Sequence, residues 1–95
     1  MKALLAFHDK QVLTDGAIVE MKIWEVVTPV AGSAHKLRYS LSHGAKGKRL
    51  VDHDNERGKG DHRHIGDHQV RYVFKTVELL MADFFADVRR LRGER

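Results

Sequence analysis

The chain changes its hydrophobic period once, and that change limits what it can build. Val19, Met21 and Ile23 alternate with Glu20, Lys22 and Trp24, the period of two expected where one sheet face is dry. From Val77 onward the period becomes helical: Val77, Leu80, Met81, Phe84, Val88 and Leu91 fall in one stripe, with Phe85 at its edge. Asp83, Asp87 and Arg90 lie on another face, and Leu79 is stranded among them. One-faced strands followed by one amphipathic helix bury their apolar sides against each other. The prediction is an α+β domain, an antiparallel meander of five to six strands packed on one C-terminal helix.

The punctuation agrees. Lys2 to His8 and Gln11 to Leu13 read as two short strands or one bent strand around His8-Asp9-Lys10. Asp15-Gly16 then supplies a dipeptide favoured in tight hairpin turns. Ala17 to Val27 is the longest strand, stopped by Thr28-Pro29. Lys36 to His43 alternates again, with Leu37, Tyr39 and Leu41 on one face. Gly44-Ala45-Lys46-Gly47 turns the chain into a strand over Arg49 to Asp54, and Val70 to Phe74 reads as the last strand. Thr76 is placed to cap the helix from Val77 to about Leu91.

Ninety-five residues make one domain, 1–95, with no material for a second core. Domains this small are marginal alone, which leaves room for a partner that completes the fold. No stretch approaches the roughly 20 apolar residues of a membrane span, and the opening apolar residues are interrupted at His8-Asp9-Lys10, too early for a signal-peptide core. Zero cysteines leave no disulfide framework and no thiolate metal site, so a cytoplasmic location fits best. The net charge of +4 favours encounter with phosphate-bearing partners but does not specify any chemistry after contact.

Residues 52–68 stand apart. Four of the seven histidines fall there, among Asp52, Asp54, Glu56, Asp61, Asp67, Arg57, Lys59 and Arg63. Gly58, Gly60 and Gly66 allow sharp bends. From Asp52 to His64 the charge is −1 with neutral histidines, so this is not a simple phosphate-grabbing loop. Mixed acids, bases and imidazoles suit acid–base catalysis, where environment splits the pKa values of neighbouring groups. RNA cleavage is a reaction such a set performs without a metal: a base takes the 2′-hydroxyl proton, an acid protonates the departing 5′-oxygen, and a cation steadies the phosphate. His62 and His64, two apart, share a face in an extended stretch and are the proton-transfer candidates. Arg57 and Arg63 offer forked donors for phosphate, and Lys59 a point charge. Asp61 or Glu56 is positioned in sequence to orient a histidine. Asn55, Lys59 and Arg63 are the expected nucleic-acid contacts.

Other readings compete. Such a segment can be a solvated turn, or knit a hairpin by ion pairs. A divalent ion would draw on His62, His64 and Asp61, but no standard ligand spacing is present, and neither a metal nor a cofactor is expected. The glycines at 58 and 60 lack the dinucleotide and P-loop patterns. A non-enzymatic clasp for nucleic acid or protein, and a metal-dependent phosphotransfer enzyme, are the alternatives to an endoribonuclease. Trp24, opposite the Val19/Met21/Ile23 face, reads as a second-face or partner contact, with base stacking as the minority reading. His8, His35 and His43 read as surface residues.

The run Asp54-Asn55-Glu56-Arg57-Gly58-Lys59-Gly60-Asp61-His62-Arg63-His64 resembles the TumE family of small prokaryotic toxin–antitoxin proteins. Phe7-His8-Asp9-Lys10 with Asp15-Gly16, and Glu20-Met21-Lys22-Ile23-Trp24, look like the family's N-terminal half. Leu80-Met81-Ala82-Asp83-Phe84-Phe85-Ala86-Asp87-Val88 looks like its closing helix. The resemblance implies a type II toxin neutralised by an adjacent helix-turn-helix antitoxin, in a hetero-oligomer or as a homodimer. It brings no mechanism, so action on RNA and the roles of Arg57, His62 and His64 rest on residue chemistry alone.

Overall fold

The alternating segments pair into a single six-stranded antiparallel sheet in the computed structural model, which describes residues 3–55 and 58–93. The strands are β1 (Ala3–Val12), β2 (Ile18–Val26), β3 (Leu37–Ala45), β4 (Lys48–Asp54), β5 (His62–Ile65) and β6 (His68–Arg71). Their order in the sheet is their order in the chain. The helix α1 (Val77–Leu91) closes the fold, and the Thr76 side chain accepts from the Leu79 N–H at 3.1 Å, as the capping pattern predicts.

The first segment takes the single-strand form of its two readings, with the register shifted between Leu5 and Phe7. Several boundaries differ from expectation. Asp15-Gly16 sits in a longer connection closed by Leu13 N–H on the Ala17 carbonyl. A two-residue turn lies at Lys46-Gly47, within the expected Gly44–Gly47 turn, both at positive φ (55° and 73°), between the paired Ala45 and Lys48. The last strand is His68–Arg71 rather than Val70–Phe74. The polar segment supplies its own strand, β5, and the hairpin through Gly66-Asp67 sets β6 against it until Arg71 meets His62. Tyr72 N–H adds one more bond, to the Asp61 carbonyl, and the chain then leaves for the helix.

One face of the sheet carries the core. Val19, Met21 and Ile23 of β2, Tyr39 and Leu41 of β3 and Val51 of β4 bury against Tyr72 and against Leu80, Phe84 and Val88 of α1. Each such side chain contributes about 1.5–3 kcal/mol when fully withdrawn from water. Asp87 and Leu91 exchange the roles their spacing suggested: Leu91 is exposed, whereas Asp87 is buried. The reason is a polar contact inside the interface. His53, on the core face of β4, lies with Nε2 2.8 Å from Asp87 Oδ2, and Arg63 and Arg90 donate to the same carboxylate at 3.3 and 3.2 Å. Burial holds the His53 imidazole below its ordinary pKa, against the opposing pull of Asp87. His43 is also buried, its Nδ1 on the Ile18 carbonyl at 3.1 Å, and His35 is half-buried, so neither is the surface residue expected.

The connection after β4 is stitched to the connection after β2. Gly58 N–H donates to the Ala31 carbonyl at 2.7 Å. Gly60 lies so close to Gly32 that a Cβ on it would stand 2.9 Å from the Gly32 carbonyl oxygen, and its φ is +71°. Gly66 has a similar φ of +60° but open space around it. Gly60→Ala therefore adds a backbone clash to the left-handed strain, which alone costs about 1–3 kcal/mol. In urea denaturation Gly60→Ala should lose clearly more stability than Gly66→Ala; equal losses would mean the two connections are not pressed together.

Candidate functional site

Pairing across the sheet, rather than proximity in sequence, assembles the polar groups. β4 and β5 run antiparallel with Asp52 opposite His64 and Asp54 opposite His62. Directly opposed residues point to the same face, so all four side chains stand on the face away from α1. His64 Nδ1–H donates to Asp52 Oδ1 at 2.9 Å, and His62 Nε2 lies 2.9 Å from Asp54 Oδ1. The two rings are 5.1 Å apart, edge to face.

The two pairs differ in access. The His62 side chain is only 4% exposed, and its Nδ1–H donates to the Gly60 carbonyl at 3.0 Å. The His64 side chain is 34% exposed while Asp52 behind it is 6% exposed. Its outward nitrogen, Nε2, meets the Oε1 of exposed Gln69 at 2.9 Å. A carboxylate behind, an imidazole between and an exposed side chain in front form an arrangement able to hold and pass on a proton. The Asp52 hydrogen bond raises the His64 pKa, with desolvation opposing and the Asp52 charge assisting.

Cross-strand register extends these pairs into two polar rows. One runs His8, Lys22, Ser40, Asp54, His62, Arg71; the other runs Lys10, Glu20, Ser42, Asp52, His64, Gln69. At the β5–β6 end a cleft of about 370 Å³ is lined by Lys59, Asp61, His62, Gln69 and Arg71. Arg71 is exposed and forms no ion pair among the described residues.

The residues singled out in the sequence separate into groups. His62 and His64 share a face as their spacing requires, and Lys59 lines the cleft beside His62. Arg63, between the histidines, points to the opposite face and donates to buried Asp87. Asp61 does orient a histidine, but it is His35: its carboxylate accepts from His35 Nε2 at 2.6 Å, Tyr39 Oη at 2.7 Å and Ser33 Oγ at 2.6 Å. Burial would raise the Asp61 carboxyl, and these donors together outweigh burial and hold it below the usual range. Asn55 is fully buried, accepting from Tyr39 N–H and donating to the Leu37 carbonyl and Ser33 Oγ. Both Asp61 and Asn55 thus hold the 33–39 segment in place. Glu56 and Arg57 lie outside the described residues. Among the described residues no three His, Asp or Glu side chains gather as a metal-ligand set.

Asp52, Asp54 and Arg71 were missed as partners. Their signal was complementarity: Asp-x-Asp at 52–54 matches His-x-His at 62–64 once the two stretches are paired as strands.

The raised His64 pKa has a directional consequence. The pair adds stability that is full below the unfolded imidazole value of about 6.5 and fades as pH rises through the folded pKa. NMR titration should show a His64 midpoint above that ordinary value, moving down in Asp52→Asn. A midpoint indifferent to Asp52 would contradict the pairing.

No helix among the described residues is long and apolar enough to cross a membrane. No curated protein and no solved structure matches the chain. A family model described as Toxin TumE does, over residues 3–92, spanning all six strands and the helix, and the chain belongs to the TumE toxin family.

Proposed function

We propose that this toxin acts on RNA as a metal-independent endoribonuclease in the cytoplasm, and that its reacting groups are those of the two histidine–carboxylate pairs. The observation that carries the reading is their juxtaposition: two pairs on the sheet face away from α1, rings 5.1 Å apart and His64 partly exposed, beside a cleft bearing Lys59 and Arg71. In this reading the scissile phosphate sits in the cleft, its non-bridging oxygens held by Arg71 and Lys59. The Asp54 carboxylate, held by His62 Nε2, takes the proton of the neighbouring 2′-hydroxyl. The 2′-oxygen bonds to phosphorus, the bond from phosphorus to the 5′-oxygen breaks, and His64, protonated at the outset, delivers its Nε2 proton to the departing oxygen. Gln69 must yield its place for this, which an exposed side chain on a sheet edge does readily. Asp52 holds the ring and supports its charge.

Membership of a toxin family implies an antitoxin. We further propose that it is the helix-turn-helix protein suggested by the resemblance, and that the assembly is a toxin–antitoxin hetero-oligomer.

A binding-only reading draws on one observation: both ring nitrogens of His62 already face acceptors. The readings part at His62→Gln/His64→Gln. If the pairs are catalytic, cleavage of purified single-stranded RNA in excess chelator disappears while binding survives; a clasp loses affinity instead. For His64→Gln alone the rate should fall about 10²–10⁴-fold, the usual worth of a positioned acid, and growth arrest on expression without antitoxin should be relieved. Undiminished cleavage in that variant, or wild-type cleavage abolished by chelator, would contradict the reading.

A further inference from the structure

Beyond the two polar rows, the same open face carries a third row that the reaction does not use. Trp24 on β2 pairs with Arg38 on β3 and with Leu5 on β1. Trp24 belongs to this face because it alternates with core residues Met21 and Ile23 in step with Lys22 and Glu20. The Arg38 guanidinium carbon lies 4.8 Å from the Trp24 ring centroid, and Arg38 is exposed to solvent. Leu5 is 56% exposed. A half-buried aromatic ring, a solvent-exposed guanidinium over it and an exposed apolar neighbour form a flat platform, and together they match the π-face of a nucleobase.

The position of this row relative to the histidines sets the ligand's size. Trp24 lies three strand spacings from His62 and one row along, a separation of about 15 Å at ordinary sheet dimensions. A single nucleotide cannot bridge that span, whereas a short extended strand crosses it. Its path runs over Lys22 and Ser40, in the row between, and Lys22, Lys10, Arg38 and Arg71 supply positive charge along the face. Duplex RNA buries its base faces and presents no ring to stack.

We infer that Trp24 and Arg38 form a base-stacking subsite that selects single-stranded RNA and fixes its register over the His62/His64 pairs. The inference rests on the proposed action on RNA and names the form of RNA. One base stacks on the Trp24–Arg38 platform through its π-face, so the subsite is tolerant of base identity. The backbone then leads across Lys22 toward the cleft at Arg71.

Trp24 is the single tryptophan of the chain, so its fluorescence reports this site alone. The probe is a single-stranded 2′-deoxy oligonucleotide, which lacks the nucleophile and cannot be cut by the proposed route. It should quench Trp24, while an abasic strand of equal length should bind more weakly and leave the fluorescence unchanged. With end-labelled oligonucleotide, Trp24→Leu should weaken binding about tenfold or more and Trp24→Phe should restore most of it, with circular dichroism of both variants unaltered. Equal quenching by the abasic strand, absence of binding by the oligonucleotide, or unchanged affinity in Trp24→Leu would overturn the subsite. The two readings fail separately. Quenching without RNA cleavage sinks the catalytic proposal and leaves the subsite; His64-dependent cleavage without quenching does the reverse.

Discussion

The register between β4 and β5 is the constraint on which the site depends. Asp52 faces His64 and Asp54 faces His62 only in the observed pairing. A slip of β5 by one residue would turn His62 and His64 toward the helix and bring Arg63 to the opposite face. His53 and Arg63 are themselves committed on the helix side, where both reach Asp87. The two faces of this short ladder thus hold each other in register: a polar cluster within the core opposes any slip that would dissolve the pairs outside it. The expense of a buried charge cluster is offset by its specificity, one attested use of such groups.

The same chemical pairing serves opposite ends on the two faces. His53 and His64 each meet a carboxylate at under 3 Å. Around His53 the helix excludes water and desolvation dominates, pushing its pKa down despite Asp87. Around His64 the Asp52 hydrogen bond dominates because the ring remains partly wet, and its pKa moves up. Environment rather than partner decides which histidine remains within reach of solvent. The buried ring braces the fold.

The architecture was readable because it rests on local period. The alternation through β2 and β3, the Thr76 cap and the stripe from Leu80 to Val88 all report which side of an element is dry, and the sheet-plus-helix packing is their consequence. Half of the site was readable in the same way, since His62 and His64 share a face in any extended strand. The rest depends on a pairing across residues 55–61, a connection too long for any turn rule to fix its register, so the partnership with Asp52 and Asp54 was hidden. Asn55 and Asp61 misled for a related reason. A polar side chain in a glycine-rich run looks solvent-directed, yet both turn inward to the backbone and side chains of residues 33–39. Arg63 kept to the alternation and so reached the helix side, where it donates to Asp87. Arg71, lying two residues beyond Gln69 on the next strand, occupies the cleft instead.

The chemistry of the cut ends tests the central claim most directly. Attack by the 2′-oxygen under acid–base control leaves a 2′,3′-cyclic phosphate upstream and a free 5′-hydroxyl downstream. Mass spectrometry of RNA digested by the purified toxin should find those termini, and a single 2′-deoxy substitution at a cut position should protect that bond. Termini bearing a 5′-phosphate and a 3′-hydroxyl would mean that water or a metal-bound oxygen is the nucleophile, and the roles given to the His62 and His64 pairs would be contradicted.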